Sequence, residues 1–241
     1  MMRLTSKSLQ CLERLRSYKP PSDTYPNTPR LRAAVLLLLF GGKEGELRVL
    51  LTVRARNMRT FSGDAALPGG RVDEGETIWQ AALREAHEEI ALLPDSAMEK
   101  LTLLPPYLSR NHLVVTPCVA FWPADNGRPN FRLNEAEVSK IFSVPFEDFL
   151  SGREGWYDPL SHTTWNGENF PLHQFGGGGE GRVWGLTARM MIDAARIAYG
   201  AEPDFPVGLV RAKGGIGDQE EFIWRGLEWA KKNKPSRKGQ L

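Results

Sequence analysis

The chain predicts an α/β fold in which a mixed β-sheet lies between helical layers. Two observations carry this expectation. Apolar runs of strand length, 32–40 and 47–54, precede a strongly amphipathic helical stretch at about 77–90, and two more strand-like runs, 101–107 and 114–121, follow it. A second helical stretch, near 187–199, comes after those strands and supplies another layer.

The elements can be justified in order. Leu9, Leu12 and Leu15 mark a short amphipathic helix, stopped by Lys19-Pro20-Pro21 because a residue before proline is pushed out of the helical region. The run 33–40 is apolar throughout, as in a strand buried on both faces, and is far too short to cross a bilayer. In the central helix Ile78, Ala82, Ala86 and Ile90 form one inward stripe, with Trp79 and Leu83 beside it. Asn126-Gly127 signals a turn, Glu137-Val138 leads into an extended segment through 145, and 146–150 reads as a short helix. Residues 151–182, with Trp156, Trp165-Asn166-Gly167 and glycines at 176–179, read as a hairpin and flexible loop inserted before the late helix. Such an insertion either closes over a substrate or is an elaborate surface loop. Beyond Gly200, 203–211 reads as extended, and Asp218 with Glu221 resembles a capping box opening a last helix at about 219–232. The chain thus divides into a lead-in (1–31), one elaborated domain (32–200) and an extension with a basic tail (201–241).

The chemistry concentrates between Gly70 and Leu92. Gly70 is followed after five residues by Glu76, and after seven more by Arg84-Glu85-Ala86-His87-Glu88-Glu89-Ile90-Ala91-Leu92. On a helix Glu85, Glu88 and Glu89 stand at i, i+3 and i+4, so three carboxylates share one face within a turn. Their mutual repulsion calls for a positive partner, and hard divalent cations such as Mg²⁺ or Mn²⁺ bridge carboxylates to substrate phosphates. Gly69-Gly70, after Pro68, lets the backbone turn tightly and bring a main-chain carbonyl to the same ions. An isolated Glu-Glu pair would be a solvated helix face, but here four glutamates, an arginine and a glycine all fall at the offsets required.

This stretch closely resembles the signature of the Nudix hydrolases, G-x5-E-x7-R-E-U-x-E-E-x-G-U with U aliphatic; Ala91 stands where the family has its second glycine. Leu50-Leu51-Thr52-Val53-Arg54, Met58-Arg59, Gly63 and Leu67-Pro68-Gly69-Gly70 resemble the L-L-T-x-R, L-R, G and F-P-G-G of its coenzyme A diphosphatase subgroup, and Val183-Trp184-Gly185-Leu186-Thr187-Ala188 resembles that subgroup's W-G-L-T-A. The resemblance implies an α/β/α Nudix sandwich with a mixed sheet, a Mg²⁺ or Mn²⁺ cofactor, and hydrolysis of coenzyme A to 3′,5′-ADP and 4′-phosphopantetheine. It implies that Glu85, Glu88 and Glu89, the Gly70 carbonyl and a later Glu137 hold metal. Glu85 is then the first choice for orienting or deprotonating water, with Glu88 as the alternative, and Arg84 pairs with Glu76 to fix the loop to the helix. Arg54, Arg56 and Arg59 suit a substrate carrying a diphosphate and a 3′-phosphate, because guanidinium forks bind phosphate oxygens; arginines flanking a strand can also merely keep its outer face soluble. Two other readings stay open: hydrolysis of oxidised nucleotides such as 8-oxo-dGTP, and a catalytically silent binding module.

Length and composition agree with a soluble enzyme. Hydrophobic content of 41% supports a real core, and a net charge of +2 is too balanced to argue for nucleic acid, despite Lys231, Lys232, Lys234, Arg237 and Lys238 near the end. Cys11 and Cys118 are too far apart, and too few, for a disulfide framework or a zinc site, and the four histidines form no ligand pair. His87 falls at the variable position of the box and has no expected catalytic task. No membrane-spanning run occurs, and the oligomeric state is left open. The final Gly-Gln-Leu and the stretch Arg3-Leu4 to Gln10-Cys11 only faintly resemble peroxisomal signals, but fungal members of the subgroup are peroxisomal, which favours that compartment over the cytoplasm or mitochondrion.

Overall fold

The computed structural model describes residues 3–20, 22–25, 31–56, 63–93, 98–123, 131–165, 168–176, 181–207 and 216–232. The expected turn at Asn126-Gly127, the hairpin tip at Asn166-Gly167, most of the glycine run, Met58, Arg59 and the basic tail beyond Lys232 lie outside them.

The architecture is α/β with a mixed sheet. The long apolar run forms β1 (Arg32–Gly41), which is parallel to β7 (Val114–Trp122) on one side. On the other it is antiparallel to β2 (Leu47–Arg54) through Leu39–Gly41 and to β4 (Gly69–Arg71) through Ala33–Val35. The two-residue β3 (Ala65–Ala66) pairs with the end of β2, so β3 and β4 fill the opening where β1 and β2 part. β5 (Glu99–Leu103) and β6 (Tyr107–Leu108) pair with β7, and β8 (Val138–Pro145) pairs with β2.

β1 is apolar on both faces because both faces are covered. Ala34, Leu36 and Leu38 join the core beneath helix α2 (Ile78–Ile90), whereas Ala33, Leu37 and Leu39 join the opposite core with α1 (Ser6–Ser17) and α3 (Gly185–Tyr199). The result is an α/β/α sandwich. Insertion residues form a second, three-stranded antiparallel sheet of β9 (Tyr157–Trp165), β10 (Glu168–Phe175) and β11 (Val183–Trp184). The last helix, α4 (Ile216–Lys232), closes a small cluster in which Ile223 and Leu227 meet Tyr25, Leu108 and Val114. No helix among the described residues is long and apolar enough to cross a membrane.

Several expectations need correction. Leu9 is half exposed and does not belong to the buried stripe of α1; Cys11, fully buried, takes that place with Leu12 and Leu15. The expected strand 101–107 is two strands, because Pro105 and Pro106 interrupt the ladder between β5 and β6. α4 starts at Ile216, so Asp218 lies inside the helix and does not cap it.

The departure at Ala91 has a structural cost. Ala91 ends α2 in the left-handed region, with φ 51° and ψ 31°, and its N–H bonds back to the Ala86 and His87 carbonyls. An L-residue there carries a steric penalty of about 1–2 kcal/mol that glycine escapes, less glycine's greater loss of chain entropy. Ala91→Gly is therefore expected to raise stability by about 1 kcal/mol, read as a rise of about 2–4 °C in Tm. A lower Tm would contradict the strain.

Candidate active site

Two devices place α2. Thr77 caps it in a reciprocal box: the Gln80 N–H donates to Thr77 Oγ1 at 3.2 Å and the Thr77 N–H to Gln80 Oε1 at 2.8 Å. Arg84 then ties the preceding loop to the helix. Its Nε and Nη2 donate to the two carboxylate oxygens of Glu76 at 2.8 and 3.0 Å, and Nη2 also donates to the Arg71 carbonyl at 2.9 Å. Glu76 Oε2 in turn accepts the Asp73 N–H, and the Arg84 guanidinium holds the Glu76 carboxyl below the usual carboxylate range. Arg84 Nη1 reaches Glu85 at 3.0 Å and Glu88 at 3.3 Å.

The glycines of β4 make room for the carboxylates. A Cβ on Gly70 would stand 2.5 Å from Glu85 Oε2, so only glycine leaves that carboxylate its place. A Cβ on Gly69 would run into the Ala34 carbonyl oxygen and come within 2.6 Å of Val35 Cα, the backbone of β1. The register of β4 on β1, Gly69 against Val35 and Gly70 against Ala34, thus depends on Gly69, while Gly70 makes room for Glu85.

Glu137 arrives from a distant part of the chain. Residues 131–137 are strapped to the end of α2 by two backbone bonds, Arg132 N–H to the Ile90 carbonyl at 3.0 Å and Asn134 N–H to the Glu89 carbonyl at 2.9 Å. Both satisfy carbonyls that a helix C-terminus leaves without an intrahelical partner. The Glu137 N–H then donates to Asn134, and its carbonyl accepts the Ala55 N–H at 2.8 Å, next to an irregularity in the β2–β8 ladder at Val53/Arg54. No sequence signal singled out Arg132 or Asn134, because they act through main-chain bonds.

The electrostatics show which groups are gathered. Glu89 is 5% exposed, and burial pushes its carboxyl up to about 8; the charges of Glu85 and Glu137 add to the rise, while the Arg54 guanidinium and the Gly69 N–H oppose it. Glu85 is also raised, chiefly by burial, with Glu88 and Glu137 contributing against Arg84. Glu85, Glu89, Glu137 and Arg54 therefore form one group. Glu88 stands at its rim with half its side chain exposed. Arg56 is exposed just past β2, and Arg59 lies outside the described residues. His87 Nδ1 lies 3.1 Å from the Leu92 carbonyl, a local contact at the helix end.

No three His, Cys, Asp or Glu side chains among the described residues form a ready-made cage. The donors nevertheless fit a hard divalent cation. All are oxygens, and Glu89 Oε2 is buried with no hydrogen-bond partner among the described residues, as is Arg54 Nε. A positive ion there would offset the burial and the neighbouring Glu85 and Glu137 charges that hold the Glu89 carboxyl above its ordinary range, and would draw the Glu85 carboxyl down as well.

The family model described as the NUDIX domain matches residues 30–163. The chain is 38% identical over 178 residues to "Nudix hydrolase 15, mitochondrial" of Arabidopsis thaliana, covering 72% of this chain and 61% of that one. It is 38% identical over 172 residues to "Peroxisomal coenzyme A diphosphatase 1, peroxisomal" of Saccharomyces cerevisiae, covering 59% and 51%. It is 36% identical to "Uncharacterized Nudix hydrolase NudL" of an Enterobacter species, covering 72% and 85%. The chain spans about half to three fifths of the length of the first two relatives.

Proposed function

Because the chain belongs to the Nudix hydrolase family, we propose that it hydrolyses the diphosphate of coenzyme A or its derivatives, releasing 3′,5′-ADP and 4′-phosphopantetheine. The observation that carries the hydrolytic reading is the buried Glu89 Oε2, without a hydrogen-bond partner among the described residues and within the electrostatic reach of Glu85, Glu137 and Arg54. The substrate reading is supported by the likeness to the yeast protein and by the place of the subgroup motif. Leu50–Arg54 forms most of β2, and Leu67–Gly70 runs from β3 into β4, so both border the carboxylate group.

Mg²⁺ or Mn²⁺, held by Glu85, Glu89 and Glu137 with Glu88 at the rim, would neutralise phosphate oxygens and acidify bound water. The chain's own residues do the rest. Glu85, half-buried and set in the space that Gly70 leaves, accepts the proton of the attacking water; Glu88 is the alternative base. Arg84 keeps the loop 71–76 on α2, so the carboxylates and the Gly70 carbonyl stay in register. Arg54, whose Nε has no hydrogen-bond partner among the described residues, offers donors to a diphosphate oxygen. The likeness to the yeast protein supports a peroxisomal location and that to the Arabidopsis protein a mitochondrial one; we propose the first.

The test is a side-by-side assay under one Mg²⁺ or Mn²⁺ condition, with products identified by mass spectrometry. kcat/KM for coenzyme A is expected to exceed that for 8-oxo-dGTP. Cations treat either diphosphate alike, so the preference must come from β2 and the segment after it. A higher kcat/KM for 8-oxo-dGTP would withdraw the substrate assignment.

A further inference from the structure

The insertion ends beside the carboxylate group. The Ala65 N–H donates to the Arg182 carbonyl at 3.3 Å, and Ala65 is paired with Val53, the neighbour of Arg54. A Cβ on Gly181 would touch Val53 Cγ2 and Phe142 at 3.4 Å, so this joint is closely packed. Strand spacing and rise place Arg182 on the order of 10 Å from Arg54. At this joint Arg182 lies over the Trp184 ring, its Cζ 5.5 Å from the centroid. Trp184 is directly opposite Gln174 in the β10–β11 ladder, so their side chains are neighbours on one face. Gln174 is 6% exposed, yet its Oε1 has no hydrogen-bond partner among the described residues.

A partly exposed indole, a buried acceptor without a partner among the described residues and an exposed guanidinium make an unusual trio for a surface sheet. Leaving Gln174 Oε1 unpaired costs free energy that a merely structural residue would not need to carry. Each member matches one part of an adenine nucleotide: aromatic faces stack bases, a carboxamide oxygen accepts from an exocyclic amine, and a guanidinium pairs with phosphate. We propose that Trp184, Gln174 and Arg182 are the specificity site for the adenine nucleotide end of the substrate. The base stacks on Trp184, Gln174 turns its buried carboxamide outward so that Oε1 accepts from the exocyclic amine, and Arg182 slides off the ring to meet a phosphate on the ribose. This rests on the reading of the substrate as a coenzyme A-type diphosphate, and it assigns the insertion a task in recognition.

The probes are 3′,5′-ADP, 5′-AMP and inosine 3′,5′-diphosphate, titrated into the full chain by calorimetry without divalent cation. Wild type is expected to bind 3′,5′-ADP best. Trp184→Ala should weaken that binding about 10-fold or more, while Trp184→Phe keeps a stacking face and stays within about 3-fold of wild type. Gln174→Leu should erase the preference for the adenine over the inosine compound, whose base has no exocyclic amine to donate. Arg182→Ala should erase the preference for 3′,5′-ADP over 5′-AMP. Circular dichroism checks that Trp184→Ala folds; if it does not, the Gln174 and Arg182 variants carry the test alone. No binding of 3′,5′-ADP to wild type, or unchanged preferences in folded variants, overturns the proposal. Turnover of coenzyme A with those preferences unchanged would remove this site and leave the enzymatic reading standing. Trp184-dependent binding of 3′,5′-ADP in a protein that does not cleave coenzyme A would do the reverse.

Discussion

Glu89→Gln is expected to lower kcat about 10²-fold or more, about 2.7 kcal/mol of transition-state stabilisation, in a protein that still folds. The amide keeps the shape of the carboxyl but removes the buried charge around which Glu85, Glu137 and Arg54 are arranged. The same variant should keep stability where wild type loses it. Without a cation the folded Glu89 carboxyl holds its proton up to about 8, above the ordinary value of 4.5, so between those values the folded state binds more protons than the unfolded one. Stability of the cation-free wild type is then full below the ordinary carboxylate range and falls as pH rises toward about 8. Tm measured in chelator from pH 5 to 8 should drop less for Glu89→Gln than for wild type. Parallel curves would contradict the burial of a lone charge, and wild-type turnover in the folded variant would contradict its role in hydrolysis.

Gly69→Ala is expected to be the most destabilising single change near the site. The added methyl meets the Ala34 carbonyl oxygen and Val35 Cα, neither of which can swing aside as a side-chain end does, so β4 must leave β1. Overpacking of this kind costs about 3 kcal/mol, a fall of about 6–12 °C in Tm, and activity should go with it. Gly70→Ala makes the informative contrast. Its methyl comes nearest to the Glu85 carboxylate, the far end of a flexible chain, so the fold should hold while turnover falls. Equal losses of stability in the two variants would contradict this division between fold and site.

The sandwich could be read from the sequence because β1 and α2 each state their burial plainly: an uninterrupted apolar run needs cover on both faces, and an amphipathic stripe needs it on one. The pairing of Arg84 with Glu76 was also accessible, since the loop between Gly70 and the helix leaves a carboxylate within reach of an arginine nearly two turns in. What pattern could not show was which glutamates are buried. Glu85, Glu88 and Glu89 look equivalent on a helical wheel, yet Glu88 is at the rim and Glu89 is almost fully enclosed. That difference is made by residues 131–137 and by Arg54, which reach α2 through main-chain bonds and a strand irregularity that carry no residue-type signature. Cys11 likewise displaced Leu9 from the core of α1 because a buried thiol behaves as a small hydrophobe. The pairing of Gln174 with Trp184 depends on strand register, which sequence specifies only weakly across an insertion.

The central claim is that the carboxylates of α2 and Glu137 form a divalent-cation site, and Mn²⁺ titration followed by the electron paramagnetic resonance signal of the free aquo ion tests it most directly. Wild type is expected to bind Mn²⁺ at a site that Mg²⁺ competes for, and Glu85→Gln, Glu89→Gln and Glu137→Gln should each weaken Kd about 10-fold or more. Folded variants that bind Mn²⁺ as tightly as wild type, or a wild type that binds none, would contradict the account.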